Sequence, residues 1–96
     1  MEKNKMPGMK INPEIKNGKY SNFVRVSHTP FDFLVDFGQA LPEDPEMDIF
    51  ARVIMSPAHA KAFLIVLEEN IKQYESSFGP IPSFKGVTNP QFSGIV

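Results

Sequence analysis

Two histidines, His28 and His59, and two acids four residues apart, Asp32 and Asp36, are the side chains of this sequence best suited to chemistry. A hairpin could bring His28 beside Asp32 or Asp36, and a helix beginning near residue 57 could carry His59 toward them. Two imidazoles and a carboxylate suit zinc or iron. The tight spacing of metal motifs, such as two histidines on one helix face, is absent. The bland assignment is a turn histidine and a first-turn helix histidine. No metal is expected, and a small metal-binding protein working through His28 and His59 is one alternative function.

Ser27-His28 and Ser56-His59 each set a hydroxyl near an imidazole, as a nucleophile–base pair requires. Nothing resembling a nucleophile elbow or an oxyanion loop accompanies them. Asp32 and Asp36 fall on the same side of a strand and could serve as general acid and base, but solvated strand faces often carry such pairs. Neither Gly-x-Gly-x-x-Gly nor Gly-Lys-Ser/Thr occurs, so no phosphate-binding loop is present. The expectation is a protein without catalytic activity or cofactor.

The element that must position these groups is a helix. Ser56 suits an N-cap, its hydroxyl accepting from a free first-turn amide. Pro57 follows at the first helical position, where its missing N–H costs nothing. Gly79 stands where a left-handed C-cap is needed, and Pro80 blocks continuation. Between these signals Ala60, Phe63, Leu64, Leu67, Ile71, Tyr74 and Phe78 recur at steps of three and four, forming one apolar stripe. Glu68 and Lys72 lie off it as a favourable pair worth about 0.3 kcal/mol. Ile65 and Val66 also fall outside it. A helix covering one sheet face needs no such breadth of apolar surface, so a second burying partner is expected.

Three strand patterns precede the helix. In Tyr20 to His28, Asn22, Val24 and Val26 alternate with Phe23, Arg25 and Ser27. Thr29-Pro30 then turns the chain. Phe31 to Phe37 sets Phe31, Phe33, Val35 and Phe37 on one face and Asp32, Leu34 and Asp36 on the other. After an acidic loop with Pro42 and Pro45, Met47 to Ser56 sets Met47, Ile49, Ala51, Val53 and Met55 against Asp48, Phe50, Arg52 and Ile54. The phenylalanine face is the natural seat for the helix. Arg52 should pair with Asp32, Asp36 or Asp48. Leu34, Phe50 and Ile54 would then line the uncovered face. The expected fold is α+β, a three-stranded antiparallel meander followed by one long C-terminal helix, completed by dimerisation. The expected interface is Leu34, Phe50, Ile54, Ile65 and Val66.

Residues 20–80 make this β-β-β-α domain. Residues 1–19 read as a flexible basic arm and 81–96 as a Pro/Gly-rich tail, disordered or ordered only on a partner. Ninety-six residues with 42% hydrophobic content allow one small domain with a modest core. There is no cysteine, hence no disulfide or thiolate metal site. No apolar run approaches the roughly 20 residues of a membrane span, and the lysine-rich start lacks the apolar stretch of a signal peptide. A cytoplasmic protein is expected. The net charge of −1 conceals a polarity. Lysines crowd residues 1–25, while residues 31–50 hold six acids and no basic residue. The lysine arm leaves nucleic-acid binding as an alternative, with Arg25, Arg52, Tyr20 and Phe23 as further contacts.

Several segments together resemble a known family. They are Tyr20-Ser-Asn-Phe with Val26-Ser-His-Thr, Phe31-Asp-Phe with Leu34-Val-Asp-Phe-Gly, Arg52-Val-Ile-Met-Ser-Pro-Ala-His-Ala-Lys, Leu67-Glu-Glu-Asn-Ile, Tyr74-Glu and Phe78-Gly-Pro-Ile. This pattern is similar to the short prokaryotic proteins of the domain-of-unknown-function family 3467. The resemblance covers Tyr20 to Ile81 and is most specific at Met-Ser-Pro-x-His-Ala-Lys. It implies no reaction, cofactor or catalytic residue. It leans toward a transcription-associated accessory role as the alternative to a small interaction and oligomerisation module, a homodimer with room for an unknown protein partner.

Overall fold

The structure, a computed structural model, describes residues 7–83 and 93–95. Strands β1 (Phe23–His28), β2 (Phe33–Gln39) and β3 (Asp48–Met55) lead into helix α1 (Pro57–Phe78), and a short β4 (Ser93–Ile95) follows. The three strands pair antiparallel in sequence order before the helix, so the α+β expectation is met. β4 adds to the free edge of β1, giving the order β3-β2-β1-β4. Ser93-Gly94-Ile95 is too short a strand to show a period in the sequence. Residues 1–6, 84–92 and 96 of the expected arm and tail lie outside the described residues.

The pairing register sorts the side chains into two faces. Val24, Val26, Phe33, Val35, Phe37, Ala51, Val53 and Met55 share one face, which is apolar except for His28, the partner of Phe33 at its edge. Phe23, Arg25, Leu34, Asp36, Arg52 and Ile54 share the other, which is mixed. Alternation along β3 fails at one point. Phe37 pairs with Ala51 but Gly38 pairs with Ile49, so Phe50 is an extra residue without a cross-strand partner. The bulge moves Ile49 off the face of Ala51 and Val53, where strict alternation had put it. Gly38 permits this close approach: a Cβ there would stand 2.8 Å from the Asp48 carbonyl oxygen and 2.8 Å from Ile49 Cδ1.

β2 also starts later than its alternation suggests. The Thr29 hydroxyl accepts from the amides of Phe31 and Asp32, both at 3.1 Å, and the Thr29 amide donates to the Asp32 carbonyl. Phe31 and Asp32 therefore belong to the turn, and Phe31 is exposed. At the other end of the hairpin, the Asn22 side chain donates to the Ala40 carbonyl at 3.1 Å and accepts from the Ala40 amide at 2.8 Å. It extends the β1–β2 ladder by one rung made of side chain. Residues 7–19 contain one turn, over 13–17, and neither helix nor strand.

Helix α1 has the ends that its signals require. Ser56 is extended, and its Oγ accepts from the His59 amide at 3.1 Å. Gly79 adopts φ 95° and its amide donates to the Glu75 carbonyl. Ser56 is the N-cap, Pro57 the first helical residue and Gly79 the C-cap, with an extended ψ of 169° in place of a left-handed helical one. Burial is unusual. Among the described residues, Phe23 and Val35 are the buried hydrophobic side chains, Asp36 is the buried polar one, and α1 has no buried residue at all.

Candidate functional site

The two histidines are occupied locally. His28 stacks on Phe33, its cross-strand neighbour, with ring centroids 5.4 Å apart. His59 Nδ1 lies 2.7 Å from Ser56 Oγ. Serine and imidazole are therefore in contact, but Ser56 Oγ also accepts from the His59 amide, so both interactions close the first turn of α1. The cap accounts for Ser, Pro and His in the Met-Ser-Pro-x-His-Ala-Lys segment. Among the described residues no group of three or more His, Cys, Asp or Glu is placed to hold a metal ion.

Asp32 and Asp36 are not brought together as an acid–base pair. Asp32 is exposed in the turn, whereas Asp36 is 1% exposed at the centre of the mixed face. Arg25 and Arg52 stand directly opposite Asp36 on the two flanking strands. Arg52 donates from Nε to Oδ1 at 2.6 Å and from Nη2 to Oδ2 at 3.0 Å. Arg25 donates from Nη2 and Nε to Oδ2 at 2.8 and 3.2 Å. Hydrogen bonds from Arg52 and then Arg25 outweigh desolvation and hold the Asp36 carboxyl far below the usual carboxylate range. The same bond raises Arg52. A carboxylate held so firmly ionised is a poor general base near neutral pH. Of the three acids expected to pair with Arg52, Asp36 is the one. The triad leaves one net positive charge on a face where both guanidinium groups are half exposed.

The apolar face offers the larger opportunity. The first half of α1 stands over it without closing on it, leaving a cleft of about 520 Å³. Val26, Phe33 and Val35 line it from the sheet, and Ala60, Phe63, Leu64 and Leu67 from the helix. Beyond Leu67 the stripe continues through Ile71, Tyr74 and Phe78, none of which lines the cleft. Tyr74 and Phe78 rest on each other with centroids 5.0 Å apart. From Phe63 to Phe78 every large residue of the stripe is between 41% and 76% exposed.

The residues of the expected interface fall on separate surfaces. Leu34 and Ile54 are cross-strand partners on the mixed face, beside the ion triad, Leu34 half-buried and Ile54 exposed. Phe50 is the bulged residue, half-buried beside Glu14, Ile15, Gly18 and Lys19 of the N-terminal segment. Ile65 and Val66 are exposed on α1. Sequence reasoning did not single out the Asn22 clamp or the Gly38 approach. The signals were the polar Asn22 at the head of an apolar strand and Gly38 inside the strand pattern, since an interior strand glycine marks a bulge or a close backbone approach. No helix among the described residues is long and apolar enough to cross a membrane.

A family model described as Protein of unknown function (DUF3467) matches residues 1–83. The match takes in the N-terminal segment that the resemblance over Tyr20 to Ile81 left outside, and it ends before β4. No curated protein and no solved structure matches the chain. The chain belongs to the DUF3467 family.

Proposed function

We propose that this member of the family is a non-catalytic oligomerisation module that works as a homodimer, with the apolar surface of α1 as its contact. One observation carries the reading: a 22-residue helix with a continuous apolar stripe and no buried residue. Helices in water owe most of their stability to packing of such a stripe. Exposed apolar patches of this extent mark interaction sites. Six stripe side chains leave on the order of 100 Å² apiece to water, about 600 Å² in all, the low end of what each partner of a standard complex buries. The mixed face is the weaker contact, because burying the Arg25–Asp36–Arg52 triad would desolvate a net charge.

Sedimentation equilibrium at micromolar concentration tests this. The expected mass is twice the 10.8 kDa of the chain. A compact monomer, with no change on dilution, would remove the reading.

The charge distribution supports a second reading, an accessory protein that touches nucleic acid. Lys10, Lys16 and Lys19 are exposed on the N-terminal segment, and the ion triad adds one net positive charge. Deleting residues 1–19 would then abolish salt-sensitive binding to DNA or RNA. Absence of any such binding by the full chain at low salt rejects it.

A further inference from the structure

We infer that two copies of this chain pair through α1 in antiparallel orientation, the distal half of each helix filling the open cleft of the other. The inference rests on the homodimer reading and specifies its geometry. Ala60, Leu64, Leu67, Ile71, Tyr74 and Phe78 are spaced 4-3-4-3-4, the seam of a two-helix coil. That spacing is symmetric about Glu69. Two antiparallel copies therefore set Leu67 against Ile71, Leu64 against Tyr74 and Ala60 against Phe78, the smallest stripe residue meeting the most exposed one.

The cleft and the stripe fit each other in the same arrangement. Residues up to Leu67 line the cleft of about 520 Å³, while Ile71, Tyr74 and Phe78 lie beyond it with no sheet surface of their own. An antiparallel partner brings its Ile71, Tyr74 and Phe78 over Val26, Phe33 and Val35. A parallel pair would stack Phe78 on Phe78 and leave both clefts unfilled.

Charge favours the antiparallel choice. Lys61 and Glu75 flank the stripe along one edge, two heptads apart, so each Lys61 approaches Glu75 of the second copy at both ends. Glu68 meets its own copy at the middle of that edge, a single repulsion that salt screens. The helix dipoles also oppose each other in this arrangement rather than reinforcing.

The absence of cysteine makes the test direct. Leu64→Cys and Tyr74→Cys proteins are mixed in denaturant, refolded together and oxidised, and the products are weighed by mass spectrometry. The mixed Leu64–Tyr74 disulfide should exceed either same-residue disulfide at least tenfold. Lys72→Cys, off the stripe, should give none. Should a cavity variant fail to fold, Leu67→Cys with Ile71→Cys tests the same register. A dimer by sedimentation whose disulfides join only like residues would overturn the antiparallel pairing while leaving the dimer intact. A monomer by sedimentation would overturn both.

Discussion

Arg52 Nε lies 2.6 Å from Asp36 Oδ1, across a register in which the two residues are direct neighbours on β3 and β2. With Arg25 bonded to the other side of the same carboxyl, Asp36 ties three consecutive strands together from the middle of the sheet. Every side-chain N–H and oxygen buried there has a partner among the described residues. A buried carboxylate is tolerable only when so fully paired.

The first prediction concerns acid. A free aspartate titrates near pH 4, and Asp36 titrates well below that in the folded chain because of the two arginines. The unfolded chain therefore takes up this proton first as pH falls. Its stabilising contribution is complete above about pH 4 and drains away as pH drops toward the folded value. Asp36→Asn removes that dependence and leaves Arg25 and Arg52 facing each other without a counter-charge. Thermal melts should show the variant less stable than the parent at pH 7, with the gap narrowing at pH 2–3. Equal melting temperatures at pH 7 would deny the triad a structural role.

The second concerns the side-chain rung of the hairpin. Asn22→Ala strips both hydrogen bonds from Ala40, whose backbone groups are half-buried. A loss of about 1–2 kcal/mol is expected by urea denaturation with unchanged slope. Asn22→Asp should not rescue it, since a carboxylate would face the Ala40 carbonyl that the amide now satisfies. Full stability in Asn22→Asp would count against the clamp.

The third concerns the bulge. In Gly38→Ala the new methyl meets the Asp48 carbonyl oxygen, which is backbone and cannot turn aside as Ile49 Cδ1 can. Strain of about 1–3 kcal/mol is the usual result of such overpacking. Gly38→Val should be worse. Backbone chemical shifts should place the disturbance at residues 48–50 of β3. A neutral Gly38→Val would mean that the strands part easily at this point.

These positions show where the sequence was legible. Alternation revealed three strands, and the Ser56, Pro57 and Gly79 signals revealed the helix to the residue, because period and capping are local properties. Alternation failed at Phe50 because a bulge is set by what Gly38 allows on the opposite strand, which is not local. It failed at Phe31 and Asp32 because the Thr29 hydroxyl competes for their amides. The surplus of apolar residues on α1 was visible, but not that the stripe itself would stand off the sheet. The amplitude of a periodic pattern reports that a face is apolar and carries no information about what covers it.

The last prediction separates contact from fold at α1. In a lone chain Ile71 is 41% exposed and lies beyond the cleft, so Ile71→Asp should leave the sheet and its melting behaviour nearly unchanged on that chain. In a dimer the same carboxylate is buried against Leu67 of the second copy without a partner charge. Such a burial costs about 2 kcal/mol or more, roughly a thirtyfold rise in dissociation constant. Sedimentation of Ile71→Asp should therefore show monomer at concentrations where the parent is dimeric, while circular dichroism retains the strand signal. Glu68→Gln works in the opposite direction, because it relieves the repulsion at the middle of the paired helices and should tighten the dimer most at low salt. A variant set in which Ile71→Asp remains dimeric would move the contact away from the stripe and toward Leu34 and Ile54 on the mixed face.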